Sequence, residues 1–348
     1  MKKAPRVFAT IATVALGLAL TACGSTAKPA ASQNTAGGGG GGGSQNVVKI
    51  RLAFVSGKGS MPYDAAQMFK KEIEEQSHGH IQVTVYSDGQ LGQDLNVLNA
   101  LKSGSIEMDI PSTVMAQVIP EFGVFDIPFL FKDRDAVAKI AHGDIWNKDL
   151  KAKLDEKGFV GLGFWENGYR QITNNKRPIY KPDDLKGLKL RVPDSKIRVA
   201  LFKELGANPT PMDLTEVFSA LQQGVIDGQE NPLATIKGSK FQEVQKYLSI
   251  TNHVYTPSYL IASKVWFDKL SPDDQKLIQQ VADHVGDEIR QEGATVDNQI
   301  IEEFKKAGMQ VNQADIPAFQ AKVGPVIDLM KQQIDPAFVD KVIKEAQS

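Results

Sequence analysis

The stretch Val47-Val48-Lys49-Ile50-Arg51-Leu52-Ala53-Phe54, followed by Ser56-Gly57-Lys58-Gly59-Ser60 and then by Ala65, Ala66, Phe69 and Ile73, changes its hydrophobic period midway. Val48, Ile50, Leu52 and Phe54 alternate with Lys49, Arg51 and Ala53, the pattern of a strand. The later apolar residues recur at helical spacing, with Lys70, Lys71, Glu74 and Glu75 on the other faces and a stop at Ser77-His78-Gly79. Ile81, Val83 and Val85 predict a second strand. Past Asp88-Gly89, a helix starts at Asp94 or nearby, runs through Leu95, Leu98 and Leu101, and ends at Gly104; Ile106 to Ile110 predicts a buried strand. Strand, helix, strand, helix, strand with short connections is the signature of a parallel sheet covered by helices. In such sheets ligands sit beyond the carboxyl ends of the strands, where the loops carrying Lys58, Asp94 and Ser112 are expected.

Working outward, a second α/β module is predicted from about Gly168. It comprises a strand at Leu188 to Val192, a helix from about Ser195 to Leu205, a rigid loop Asn208-Pro209-Thr210-Pro211 and a helix from about Thr215 to Gln223. Val225-Ile226-Asp227-Gly228 then leads into Gln229-Glu230-Asn231-Pro232. Asp273 to Glu292 and Ala294 to Lys306 have the apolar spacing and charge density of long helices, one of them able to bridge both modules. The length, 348 residues, also suits two domains around a cleft.

The flanks place the chain outside the cytoplasm. Lys2, Lys3 and Arg6 precede an apolar run from Val7 to Leu20, which rises about 21 Å as a helix, short of a bilayer core of about 30 Å. It reads as a secretory signal peptide over residues 1–22. Its end, Leu20-Thr21-Ala22-Cys23, resembles a bacterial lipobox, which makes Cys23 the lipidated first residue of the mature chain. As the only cysteine, Cys23 has no partner for an intramolecular disulfide. Residues 23–46, with seven consecutive glycines at 37–43, read as a flexible tether. The 40 Lys+Arg and 41 Asp+Glu balance to −1; losing Lys2, Lys3 and Arg6 with the leader leaves 37 against 41. With no basic block in a near-neutral chain, nucleic acid is excluded as an expected partner.

Catalytic motifs are missing. The five histidines form no His-Glu-x-x-His, and no Gly-x-Ser-x-Gly elbow, phosphate-binding loop or dinucleotide fingerprint occurs. No metal or cofactor is expected. The blocks from Gly163 to His253 point elsewhere: Gly163-Phe164-Trp165-Glu166-Asn167-Gly168-Tyr169-Arg170-Gln171, Gly187-Leu188-Lys189-Leu190-Arg191-Val192-Pro193, Gly206-Ala207-Asn208-Pro209-Thr210-Pro211-Met212, and Ala220-Leu221-Gln222-Gln223-Gly224-Val225-Ile226-Asp227-Gly228-Gln229-Glu230-Asn231-Pro232. Together with Phe125-Asp126-Ile127-Pro128-Phe129-Leu130-Phe131, they resemble the substrate-binding proteins of tripartite ATP-independent periplasmic (TRAP) transporters, the DctP family, in register over nearly the whole mature chain.

The resemblance implies a two-domain periplasmic binding protein fold, each domain a mixed sheet flanked by helices with a long helix bridging both. Domain I is expected over 47–167 plus 257–296, and domain II over 168–256 plus 297–348. It also implies that Arg191 binds the ligand carboxylate, as its planar fork of donors suits, with Arg170 and Asn231 holding the acid or the arginine. Asp94 reads equally as an acceptor for a ligand hydroxyl or amine and as a helix N-cap. Lys58 is a candidate for a second carboxylate or a solvated loop lysine. Leu214 stands where some relatives stack an aromatic ring on the ligand, or is a core leucine ahead of a helix. His253 and Trp165 are expected to support the hinge and pocket wall. The chain has Pro111-Ser112-Thr113-Val114-Met115 where sialic-acid binders carry Glu and Arg, and Met61 where relatives place a His.

The function implied is a non-enzymatic, lipid-anchored extracytoplasmic subunit. It captures an organic acid by domain closure and delivers it to small and large membrane permease subunits. A C4-dicarboxylate such as malate, succinate or fumarate is the first expected ligand, with a uronate or aldonate as the alternative. A sensor subunit for a membrane kinase and a lipid-anchored hydrolase are the readings from other classes.

Overall fold

A computed structural model describes residues 47–348; the expected signal peptide, Cys23 and the whole of the expected tether lie outside the described residues. Ten strands form one mixed sheet: β1 (Val48–Ala53), β2 (Ile81–Tyr86), β3 (Met108–Asp109), β4 (Phe159–Asn174), β5 (Lys189–Val192), β6 (Asn208–Pro211), β7 (Gly228–Pro232), β8 (Tyr247–Ile250), β9 (Tyr255–Ser263) and β10 (Gln310–Gln313). Its first half has the order β2-β1-β3-β9-β4, with β1 parallel to β2 and β3. In the second half, β7, β5 and β6 lie on one side of β4, and β8 then β10 on the other.

Local chemistry sets the opening module as the periods predicted. Ser60 caps the helix Met61–Gln76, accepting from the Tyr63 amide at 3.4 Å, and Ala65, Ala66, Phe69 and Ile73 form its buried stripe. Gly104 closes the helix Asp94–Ser103 in the left-handed conformation, φ 74°. Apolar clusters cover both faces of the sheet and run through both halves: Leu190, Leu201, Phe125 and Tyr259 belong to one, Leu52, Leu162, Leu248 and Val285 to the other.

The structure departs from the sequence reading at four places. Asn208–Pro211 is a strand, paired parallel with β5 in the register Lys189↔Asn208; it is the sheet's edge, where Pro209 and Pro211 need donate to no further neighbour. The strand expected over Ile106 to Ile110 narrows to Met108–Asp109. The two helices expected after Asp273 are one, Pro272–Lys306, which passes through Gly293 without a break. The helix Pro336–Gln347 packs against Arg134–His142 of the first half, although the C-terminal segment was expected to follow the second.

The chain passes between the halves along β4, along the run from β8 into β9, along the helix Pro272–Lys306, and through the C-terminal helices. β4 pairs with β9 over Phe159 to Tyr169 and with β7 from Arg170 on, its register shifting between Glu166 and Gly168. Among the described residues no helix is long and apolar enough to cross a membrane.

Candidate functional site

The halves meet around a cleft of about 670 Å³, its open mouth included. The loop after β1 brings Val55 and Ser56, the loop after β3 brings Ser112 to Val114, and the helix Asp94–Ser103 presents Asp94 from its first turn. From the second half come Arg191 on β5, Asn231 on β7, Arg170 on β4 and Leu214 at the start of the helix Leu214–Gln222. Five of the six residues singled out in the sequence therefore line one cavity. Lys58 is the exception: it is exposed and does not line the cleft, because its loop turns the Gly57 backbone, not the lysine side chain, toward the other half.

Arg191 is 3% exposed and, among the described residues, has no carboxylate partner. Its Nε and Nη2 both donate to the Met212 carbonyl, at 2.9 and 2.6 Å, leaving Nη1 for the cleft. Burial, reinforced by the Arg170 charge, lowers its pKa to about 10. A desolvated guanidinium without a counter-ion is costly, and an anion entering the cleft removes that cost.

Arg170 is held differently. Its Nη2 donates to Glu230 Oε1 at 3.0 Å and to Asn231 Oδ1 at 3.0 Å, and its Nε to Glu230 Oε2. Asn231 thereby commits its oxygen to Arg170, while its Nδ2 donates to Gln229 Oε1 at 2.6 Å. Behind them, Arg198 bridges Glu230 Oε2 at 2.9 Å and Asp126, and His253 Nε2 lies 3.0 Å from the same Glu230 oxygen. Burial alone would raise the Glu230 pKa; the Arg170 and Arg198 charges and the His253 hydrogen bond outweigh it and hold the carboxyl well below its ordinary range. Three buried guanidiniums against two buried carboxylates leave one positive charge unmatched, and Arg191 carries it.

Asp126, Arg198 and Glu230 escaped the sequence reading as site residues. Arg198 left a trace, standing on the buried face of its helix between Ile197 and Leu201. His253 and Trp165 are placed off the cavity, His253 in this network and Trp165 donating to the Ala282 carbonyl at 2.8 Å.

Across the cleft and on its floor the polar groups are mainly acceptors. Asp94 is half-buried and is the first helical residue, Gln93 being the N-cap, so its carboxyl faces the cavity and caps nothing. Burial and repulsion from Asp213 raise its pKa to about 7, against a weaker opposing pull from Arg191. On the floor, Thr235 Oγ1 donates to Asn167 Oδ1 at 3.0 Å, Asn167 Nδ2 to Ser112 Oγ at 3.2 Å, and Ser112 Oγ to the Pro257 carbonyl at 2.8 Å. Both hydroxyl protons are spent within the protein, which leaves lone pairs on Thr235 and Ser112 and one Asn167 N–H for a guest. Gln117 Nε2 donates to the Asp194 carbonyl at 2.8 Å, and Gln93 to Thr215, so the rims of the two halves touch in this conformation.

A two-halved α/β protein whose cleft sets a free guanidinium against a wall of acceptors belongs to the solute-binding proteins, which hold an anion between two lobes. Residues 52–333 match the model of the bacterial extracellular solute-binding protein family 7 (DctP), and the chain is a member of that family, the binding proteins of TRAP transporters. It is 34% identical over 302 residues to the 2,3-diketo-L-gulonate-binding periplasmic protein YiaO of Escherichia coli K12, covering 86% of this chain and 92% of that protein. The sugar acid binding protein DctPAm of Advenella mimigardefordensis, solved with galactonate, superposes with a TM-score of 0.83 at 38% identity over 87% of this chain and 98% of its own. A TRAP periplasmic solute binding protein of Sulfurospirillum deleyianum with bound succinate gives 0.80 at 31% identity, covering 85% and 98%.

Proposed function

We propose that the cleft captures a polyhydroxy monocarboxylate, a sugar acid of the aldonate or uronate class, and hands it to the small and large permease subunits of a TRAP transporter. The carrying observation is the pairing of one unmatched guanidinium, Arg191, with acceptors on the opposite half, Asp94 and Ser112, while Thr235 adds an acceptor on the floor between the halves. The acid group docks on Arg191 with Arg170 beside it, positioned by Asn231, and the ligand hydroxyls donate to the acceptor wall. A second carboxylate would meet Asp94 and those lone pairs with no cation to answer it, Lys58 being outside the cleft. That favours the sugar acid over a C4-dicarboxylate, in line with the sugar acids named for two of the relatives above. Leu214 supplies an apolar edge for the carbon chain.

Capture proceeds by closure. The free cleft keeps Arg191 partly hydrated; a ligand repays its desolvation only when both halves contact it. The moving bodies are 47–167 plus 257–296 with the helix Pro336–Gln347, and 168–256 plus 297–335, and Cys23 with the glycine-rich tether anchors them to lipid at the outer face of the cytoplasmic membrane. A micromolar dissociation constant, about −8 kcal/mol, is within reach of one bidentate ion pair and several hydrogen bonds.

The test is thermal unfolding against aldonates, uronates, C4-dicarboxylates and 2-oxo acids, repeated with Arg191→Ala. A sugar acid is expected to raise the melting temperature, with the shift abolished in the variant. Stabilisation by dicarboxylates alone overturns the ligand class, and a shift that survives Arg191→Ala overturns the anchor.

A further inference from the structure

Outside the cleft, a further charged cluster, with Glu166 fully buried and Arg134 and Asp297 partly so, stands where the chain passes between the halves. Arg134 opens the helix Arg134–His142 of the first half. Its Nε donates to Glu166 Oε1 at 2.9 Å, and its Nη2 to Asp297 Oδ2 at 2.7 Å. Its guanidinium also lies 5.4 Å from the centre of the Tyr169 ring. Glu166 is fully buried and accepts from the Tyr255 hydroxyl through its other oxygen.

These partners belong to three of the crossing segments: Glu166 and Tyr169 to β4, on either side of its register shift, Tyr255 to the start of β9, and Asp297 to the long helix. The fourth crossing, the helix Pro336–Gln347, packs on the helix that Arg134 begins. The backbone makes room for the cluster. A Cβ on Gly293 would stand 2.7 Å from Arg134 Nε and 2.9 Å from Glu166 Oε1, so a glycine sits in mid-helix where alanine would favour the helix more. Gly168, at φ 123°, lets β4 resume its pairing directly after the shift.

We propose that Arg134 is the pin of the interdomain hinge, a positioning residue that ties the crossing strands and the long helix to one point. It thereby fixes how Arg191 and the acceptor wall meet on closure. None of Arg134, Glu166 and Asp297 lines the cleft, so the pin acts on affinity only through the angle and spread of the two halves. This rests on the closure reading above. A pinned hinge restricts the open ensemble, and a ligand then loses less entropy in selecting the closed form.

The test uses the chain carrying Cys23→Ser with spin labels at Lys71→Cys and Lys203→Cys, exposed sites on the first and second halves, and pulsed EPR with and without galactonate. Arg134→Met is combined with Glu166→Gln and Asp297→Asn so that no carboxylate of the cluster is left without its cation. Gly293→Ala displaces the guanidinium while leaving every charge in place. Both variants are expected to broaden the distance distribution of the free protein and to weaken galactonate, or whichever acid the stability panel selects, by about fivefold to tenfold through faster dissociation. Distributions and affinities equal to those of the parent in both variants would overturn the pin. If the parent's distances do not change with ligand, the closure reading fails, and the pin is still judged by the free distribution.

Discussion

The protonation of Asp94 separates the two acid classes by the sign of a pH dependence. With the rims touching, as in this structure, and no ligand bound, its pKa is about 7, so near neutrality it is about half ionised. A ligand carboxylate on Arg191 cancels that cation's pull on Asp94 and nudges the pKa up, but Arg191 is the weakest of the three influences on the group, after burial and Asp213. Hydroxyls donated to the ionised carboxylate act the other way. A hydrogen bond to a charged group is worth about 1.5–3 kcal/mol, which is about one to two pKa units, so one or two such bonds outweigh the loss and bring the bound pKa to about 6. Linkage then fixes the outcome: the complex binds fewer protons than the free protein, so affinity rises by about fivefold from pH 6 to pH 8, and binding at pH 7 releases about 0.4 proton. A dicarboxylate reverses every sign, because its second anion favours protonated Asp94; with a bound pKa of about 8, affinity falls by about fivefold over the same range. Calorimetry with a sugar acid and with fumarate, in buffers of different ionisation enthalpy, reads both the constants and the proton count. Arg191, at about 10, does not titrate in this window. Asp94→Asn should flatten the profile. A sugar acid whose affinity falls with pH, or a slope that persists in Asp94→Asn, would refute the reasoning.

Two further substitutions test the frame around the site. Glu230→Gln removes the carboxylate shared by Arg170, Arg198 and His253 and strands buried positive charge, so chemical denaturation should find a loss of about 3–5 kcal/mol; a loss below 1 kcal/mol would mean that the network does not hold the second half together. Gly57→Ala places a Cβ 2.5 Å from the Gly238 carbonyl oxygen on the other half, at a glycine with no left-handed strain, so the halves are held apart. Its free form should melt as the parent does while ligand affinity drops by about tenfold or more, and equal affinity would remove Gly57 from the closing surface.

How much of this was legible in the sequence depended on whether an element shows one face to water. β1 and the helix Met61–Gln76 do, so alternation and helical spacing announced them. β4, the spine shared by both halves, is buried along almost its whole length and interrupted by Gly161, Gly163 and Gly168. Its period is erased, and it was readable only as part of a family motif. β6 was hidden by its prolines, which an edge tolerates and a sequence scan reads as loop.

The site divides along a similar line. Arg191 was legible through the family motif it shares, its place at the end of an apolar strand suiting the role, whereas Asp94 stood evenly between a ligand acceptor and a helix N-cap until the fold gave the cap position to Gln93. Lys58 had the same loop position, but position does not fix which way a side chain points, and the approach of Gly57 to Gly238 turns it outward. The charge ledger was the least legible part. Arg198 balances Asp126, 72 residues away, and Glu230, 32 residues away, and only the fold brings them together. That sum is what leaves Arg191 as the unmatched cation. On the proposed reading, the docking of the ligand's acid group is therefore a property of the second half as a whole, and replacing Arg170 should disturb Arg191 through Glu230 and Asn231 even where the ligand touches Arg191 alone.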